Sequence, residues 1–423
     1  MPGRTLAMDF GTSNSAAAIL DGDTPLRLPI ESGAETLPTA VFFPADRSNM
    51  RIGAAAAEAL IEGEEGRYMR ALKSVLGTAL FHESRLVGGR RRTLADIVTA
   101  FIAEVRRRAE AAAGRPFTRA LSGRPVHFHT ADPERDARAE ADLRACYLAA
   151  GFEDVRFMFE PEAAALASHG LGQRGELGLI VDIGGGTSDF SVFRAEGNRV
   201  EILASHGIRL GGTDFDHAIS MAHAMPHLGH GGQLRRSFGE GLTQVPNAIY
   251  VDLSTWAKIP FVYAPETLRL VRDMVRNAVD PQRMGRLETV IEAELGHELA
   301  FAVEAGKISA NGAGRAGGID MGFIEPGLSA AISAASLDAA LAEFRGRLRT
   351  AMEETLRFAR VAPQGIGSVI LVGGSSLMDL VSAEARAVCP EARLSRSEAF
   401  TAVVDGLALA TAQTVSGEAG RVG

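Results

Sequence analysis

Cysteine is nearly missing from this chain of 423 residues: Cys146 and Cys389 are the only two, with no CxxC motif and no ligand-like spacing. That excludes a disulfide framework and a thiolate metal site, and it fits a reduced, cytoplasmic compartment. Positive charge is not in excess either. A formal charge of −8 argues against a dedicated binder of nucleic acid or of an anionic membrane. The basic triplets Arg90-Arg91-Arg92 and Arg106-Arg107-Arg108 read as a solvated loop and a solvated helix face. No apolar run reaches membrane-spanning length. The first apolar stretch carries Asp9 and lacks a cleavage site after a continuous apolar core, so a soluble, unprocessed chain is expected.

Lysine is the other scarcity, with Lys73, Lys258 and Lys307 the only three among 44 basic residues. Guanidinium and ammonium differ in shape and donor geometry, so a chain this biased toward Arg keeps Lys where a compact ammonium matters. A metal-like set is also lacking. His217, His223, His227 and His230 cluster in sequence, but Pro226 breaks their helical register and no acid or Cys completes a ligand set. Trp256, the only tryptophan, stands near Tyr250, Phe261 and Tyr263 and reads as packing rather than a base-stacking platform.

What is present is a duplicated motif. Met8-Asp9-Phe10-Gly11-Thr12-Ser13-Asn14-Ser15 and Val181-Asp182-Ile183-Gly184-Gly185-Gly186-Thr187-Ser188-Asp189 share an apolar approach, an acid, a Gly-rich turn and a return to apolar residues. Each reads as strand, tight turn, strand. Two such hairpins facing each other can clamp a polyphosphate, with backbone N–H groups and hydroxyls on its oxygens and Asp9 and Asp182 holding a divalent cation.

At this length two or more compact units are expected. The pattern predicts strands at 39–43 and 51–52, helices at 54–61 and 94–113, a strand at 125–128, and a helix from Asp132-Pro133 to Ala150. A strand at 155–159 and a helix opened by Pro161 and running over 162–168 follow, and 170–178 reads as a hinge. The alternation of strands and helices implies parallel pairing with crossovers. The second half repeats the plan, with strands at 177–181, 190–193 and 200–205 and a helix after Asp216. A mainly helical stretch reaches about Ala313, with loops at 229–232 and 242–246. Short strands near 318–325, a helix at 337–360, a strand at 368–372 and closing helices complete it.

These motifs, in this order, resemble the Hsp70 family on the actin-like ATPase fold. The set is residues 9–14, Glu160-Pro161-Glu162-Ala163-Ala164-Ala165, residues 182–189, Gly211-Gly212-Thr213-Asp214-Phe215-Asp216, Glu304 with Lys307, and Val369-Ile370-Leu371-Val372-Gly373-Gly374-Ser375. The resemblance spans almost the whole chain and leaves no length for a substrate-binding domain, most like the shortened Hsp70-like proteins of the YegD type. It implies an α/β protein of duplicated ribonuclease H-like domains, with two lobes around a nucleotide cleft and a helical insertion in the second. Lobe I would cover 1–175, with helices from about 400–423 packing back. Lobe II would cover 176–399, with a helical subdomain at about 215–313.

The resemblance also implies roles. Gly11, Thr12, Ser13 and Asn14 would contact phosphate on one side and Gly184, Gly185, Gly186 and Thr187 on the other, with Thr187 near the γ-phosphate. Lys73, in Ala71-Leu72-Lys73-Ser74-Val75-Leu76-Gly77, is similar to the family segment that brings an ammonium to the attacking water. Glu160, expected to be extended before Pro161, is a candidate to orient that water, with Asp182 or Asp189 as alternatives. Gly211, Gly212 and Thr213 would contact the nucleotide, Glu304 and Lys307 would bracket the ribose and ring of the adenosine, and Gly373, Gly374 and Ser375 would let the backbone pass close to the base. The implied activity is slow hydrolysis of ATP to ADP with Mg²⁺, in a chaperone whose partners are an unfolded or specific client and a nucleotide-exchange protein. A sugar-type small-molecule kinase and a filament-forming actin share the fold and remain alternatives.

Overall fold

Asp9 and Asp182 stand at equivalent places in two sheets of one topology. In the first, β1 (Thr5–Phe10), β2 (Asn14–Asp21) and β3 (Thr24–Arg27) form an antiparallel meander. Next, β4 (Arg119–Arg124) joins β1 in parallel and β5 (Asp154–Phe159) joins β4. In the second, β6 (Leu177–Ile183), β7 (Ser188–Glu196) and β8 (Arg199–Ile208) make the meander. Parallel strands β9 (Ile366–Val372) and β10 (Arg393–Arg396) extend it from β6. The orders β5-β4-β1-β2-β3 and β10-β9-β6-β7-β8 coincide strand for strand, so the expected duplicated α/β fold is the one observed.

Parallel additions need crossovers. They are α1 (Leu94–Ala113) and α2 (Pro133–Ala149) in the first half, and α3 (Glu160–Ala167) follows the last strand, β5. Their counterparts are α4 (Ala342–Ala359) and α5 (Asp379–Val388), with α6 (Ala402–Ala419) following β10 as α3 follows β5. The computed structural model describes residues 4–129, 132–167, 175–196, 199–236, 240–312, 316–396 and 401–419. The chain divides into two compact units: Met1–Leu210 with Arg349–Leu377 and Ser382–Gly423, and Gly211–Leu348 with Met378–Val381. Both five-stranded orders lie in the first. The second holds helices such as Pro265–Asn277, Pro281–Glu292 and Gly296–Ala310 and two small hairpins.

Local chemistry sets the ends. Thr93 and Asp96 form a reciprocal capping box on α1, and Gly114 closes it in the left-handed conformation. Asp132 caps α2 by accepting from the Arg135 N–H, with Pro133 in the first turn. Strand β1 is buried on both faces. Leu6, Met8 and Phe10 pack with Phe101, Val105 and Tyr147 from α1 and α2, whereas Ala7 faces an alanine-rich cluster of α3 and α6. That second cluster also takes Ile180, Phe193, Ile370 and Val372, so α3 and α6 form a shared centre between the sheets.

Several expectations shift. The strand expected at 125–128 lies at Arg119–Arg124 instead and stops where Pro125 has no N–H for the ladder. The loop at 242–246 contains the strand Leu242–Gln244, paired with Gln233–Arg235. Arg90–Arg92 is likewise a strand rather than a loop, paired with Arg85–Val87. The helix at 337–360 is two, Ala334–Ala340 and α4, broken where buried Leu341 leaves helical dihedrals. Glu160 opens α3 directly after β5 rather than continuing the strand. The strands near 318–325 are Gly317–Asp320 and Ser329–Ile332. Ser168, Ala313 and positions 170–174 of the expected hinge lie outside the described residues.

The centre depends on close backbone approach. A Cβ on Gly406 of α6 would stand 1.7 Å from the Ala163 carbonyl oxygen of α3. The same helix is tied to β3 by a two-pronged pair, Arg27 Nε and Nη2 to Asp405 at 2.9 and 2.7 Å. Gly406→Val is therefore expected to destabilise the protein by about 3 kcal/mol or more, since α3 and α6 must separate to admit the side chain. Chemical denaturation checks this, and an unchanged midpoint would contradict the packing described.

Candidate functional site

The turn between β1 and β2 is built for backbone to pass close to itself. Asp9 pairs with Ala16 and Phe10 with Ser15. A Cβ on Gly11 would fall 2.2 Å from the Asn14 carbonyl oxygen, so only glycine fits. Thr39 anchors the turn: its N–H donates to the Ser13 carbonyl at 2.8 Å, and its hydroxyl bonds that of Ser15 at 2.8 Å. In the second turn Asp182 pairs with Asp189, and the Gly184 N–H donates to the Thr187 carbonyl at 2.9 Å. Ser188 is buried and donates to the Leu210 carbonyl at 2.7 Å. The two turns meet, since a Cβ on Gly185 would lie 2.6 Å from the Ser13 hydroxyl. Thr187 is exposed at the tip.

Gly373 follows β9 with φ of 82°, and a Cβ there would stand 2.7 Å from Asp182 Oδ1. Gly374 and Ser375 begin the short 3-10 turn Gly374–Leu377 beside it. Thus Gly11 to Asn14, Gly184 to Thr187 and Gly373 to Ser375 surround one pair of acids within the first unit.

Lys73 is buried on the 3-10 turn Leu72–Val75, and its ammonium is ion-paired to Glu160 at the start of α3. Gly123, at the end of β4, lines the same place. A Cβ on it would lie 3.1 Å from Glu160 Cγ and 3.6 Å from Asp9 Oδ1. The sequence pattern, which predicts this strand at 125–128, carries no signal for Gly123. Beneath it the Ser122 and Tyr147 hydroxyls share a buried bond of 2.8 Å.

Electrostatics bind these groups into one cluster. Burial, then the Glu160 charge, pushes the Asp9 carboxyl up to about 7. Burial, Glu160 and Asp189 push Asp182 up to about 8, and burial with Glu160 pushes Asp189 up to about 7. Burial opposes the Lys73 ammonium, but Glu160 and Asp9 outweigh it and hold its pKa above the ordinary value. Four carboxylates thus share one ammonium. Hard oxygen donors carrying excess negative charge fit Mg²⁺. Among the described residues no group of three or more His, Cys, Asp or Glu is arranged to hold a metal alone.

The remaining predicted residues lie in the second unit. Gly211 and Gly212 open the helix Gly212–Ile219, where the Gly211 N–H donates to Asp214 Oδ2 at 2.8 Å, and Thr213 follows in its first turn. Glu304 and Lys307 share the helix Gly296–Ala310. Buried Lys307 pairs with Asp216 Oδ1 at 2.8 Å, a partner that the spacing of Glu304 and Lys307 did not suggest. Two of the four histidines are engaged locally, His217 with the Ser254 hydroxyl at 2.8 Å and His230 with Asn247 at 2.7 Å. Trp256 packs edge-on against Phe301 and His297.

The sequence model of the family described as Hsp70 protein matches residues 84–229. A chaperone protein DnaK of Cenarchaeum symbiosum is 27% identical over 412 residues, covering 96% of this chain and 54% of that protein. A chaperone protein DnaK of Methanothermobacter thermautotrophicus is 33% identical over 223 residues, covering 51% of this chain and 35% of that protein. The chain spans about half the length of the first of these relatives and about a third of the second. These matches fall on the family to which the motifs point; they do not bear on the narrower YegD type.

The raised carboxyls carry a pH signature. Between the ordinary value of 3.8 and the folded values of about 7 to 8, the native state binds more protons than the unfolded chain. Stability of the ligand-free, chelator-treated protein must therefore fall as pH rises through that window. Asp182→Asn removes one charge, so it should flatten the fall and gain about 1–3 kcal/mol at pH 8. Melting curves at pH 6 and pH 8 decide it; equal slopes for both proteins would contradict the shared burial of charge.

Proposed function

We propose that this chain, a member of the Hsp70 family, binds ATP between its two Gly-rich turns and hydrolyses it slowly to ADP and phosphate. The observation that carries the reading is the Lys73–Glu160 ion pair set among Asp9, Asp182 and Asp189 where the turns meet. Phosphate oxygens would be held by Gly11, Thr12, Ser13 and Asn14 on one side and by Gly184 to Thr187 on the other. Asp9 and Asp182 would hold Mg²⁺, which supplies neutralising charge at the β and γ phosphates.

Chemistry then rests on positioning and charge. The water oxygen bonds to the γ-phosphorus as the bond to the bridging oxygen breaks, and ADP departs with that electron pair. Lys73 stabilises charge on the γ-phosphoryl oxygens, and Glu160, already bonded to Lys73, orients the water with its second oxygen. Asp182 and Asp189, beside it, are the alternatives to Glu160 for orienting that water. Thr187 lies on the exposed tip of its turn and would contact the γ-phosphate. By family resemblance Glu304, Lys307 and Gly373 to Ser375 would serve ribose and base, and Gly211, Gly212 and Thr213 would contact the nucleotide.

The division into lobe I at 1–175, with C-terminal helices from about 400 packing back, and lobe II at 176–399, with the helical subdomain at 215–313, belongs to this reading. So do a cytoplasmic location, an unfolded or specific client and a nucleotide-exchange partner. The two relatives are each described as a chaperone protein DnaK, which supports the chaperone role over the kinase and filament alternatives. Measuring ATP turnover with and without an unfolded polypeptide tests activity and coupling together. Slow turnover that the polypeptide changes is expected; phosphate transfer to a supplied sugar, or nucleotide-dependent sedimentation, would contradict it. Lys73→Ala should retain ATP affinity while losing about 10- to 100-fold in turnover. Equal loss of affinity, with turnover of the bound nucleotide unchanged, would place Lys73 in binding instead.

A further inference from the structure

Lys73 lies on a single 3-10 turn that is bonded well at its start, where the Ser74 N–H and hydroxyl reach the Ala71 carbonyl at 3.0 and 2.7 Å, and loosely at its end, where the Leu76 N–H reaches the Lys73 carbonyl at 3.4 Å. The chain enters the turn through Ala71 at φ 57°, a left-handed conformation that a residue with a Cβ resists. Such a segment keeps its shape only when its surroundings over-determine it. Two bonds from outside do so, just past the turn.

The first comes from His129, whose Nε2 stands 2.8 Å from the Leu76 carbonyl oxygen. A carbonyl can only accept, so this nitrogen carries the proton and donates. The second runs from the Gly77 N–H to Asp142 Oδ2 at 2.9 Å. Both ties lead to α2. Asp142 lies within it, and His129 is held by its first turn, where Asp136 Oδ1 accepts the N–H groups of Phe128 and His129 at 2.5 and 3.2 Å. The end of the Lys73 segment is also pressed onto this helix, since a Cβ on Gly77 would lie 2.4 Å from the Arg135 carbonyl oxygen. Leu72 and Leu76 are buried on either side of Lys73, which leaves Lys73 as the one charged side chain of the turn.

We propose that His129 and Asp142 are positioning residues that fasten the Lys73 turn to α2 and so set the ammonium against Glu160. The proposal rests on the role given to Lys73 above, and its test separates the two. With only three lysines in the chain, nitrogen-15 labelling of lysine gives a resonance for each ammonium that single substitutions can assign. The Lys73 signal, identified by its loss in Lys73→Arg, is expected to shift or broaden in His129→Phe, while that of Lys307, paired with Asp216, stays put. His129→Gln, which keeps a donor of similar reach, should restore it.

In parallel, His129→Phe should lower turnover about tenfold with nucleotide affinity within about twofold, and should cost nothing further in a Lys73→Ala background. A Lys73 resonance unmoved in His129→Phe would overturn the proposal, as would additive losses in the double variant. Should that variant not fold, Asp142→Ala is read in the same way. Absence of turnover in the unaltered protein would count against the proposed activity, and the resonances would still decide whether Lys73 is held in this way.

Discussion

Four carboxylates gathered around one ammonium are the constraint on which the rest of the structure depends. Asp9, Glu160, Asp182 and Asp189 come from two sheets and one helix, and Lys73 from a turn outside all three. Burying like charges together is costly, and the raised Asp carboxyls measure that cost as a preference for protonation. A cation with phosphate oxygens would relieve it, which is why the cluster makes physical sense as half of a site. The unpaired charge is a preparation for a ligand rather than a contribution to stability.

Bringing the acids together requires the two sheets to present their first hairpins to one another. Duplication supplies the hairpins, and the shared centre of α3 and α6 supplies the approach. Small residues are the means. Ala163, Ala164 and Ala165 on α3 and Gly406 on α6 let backbones close to a distance that no larger side chain would permit. Glu160 begins the same helix that carries those alanines, so packing at the centre and placement of the charged group are a single structural event.

Much of this was legible because the signals were local. The turns at Gly11 and Gly184 need particular backbone shapes, α1 shows its buried face at Ile97, Val98, Phe101, Ile102 and Val105, and both are written in short stretches of sequence. The doubled motif revealed the doubled sheet, and the acids and glycines of the phosphate turns do converge. Illegible were features set by tertiary contact. The hairpins at Gln233–Arg235 with Leu242–Gln244 and at Arg85–Val87 with Arg90–Arg92 are short and polar, with little alternation to mark them. The strand ending at Arg124 was misplaced toward the more apolar residues that follow Pro125. Lys307 pairs with Asp216, 91 positions earlier by subtraction, rather than with its helical neighbour Glu304. His129 and Gly123 acquire meaning only through the carbonyl and carboxylates they meet.

The central claim is that half-buried, partly protonated carboxylates await a cation and phosphate. Calorimetry of preformed Mg²⁺·ADP binding at pH 7, repeated in buffers of different ionisation enthalpy, counts the protons exchanged. The account predicts release on the order of one proton per nucleotide bound, as Asp9 and Asp182 ionise against the arriving Mg²⁺. Binding without proton release, and equally tight after Mg²⁺ is removed, would contradict it.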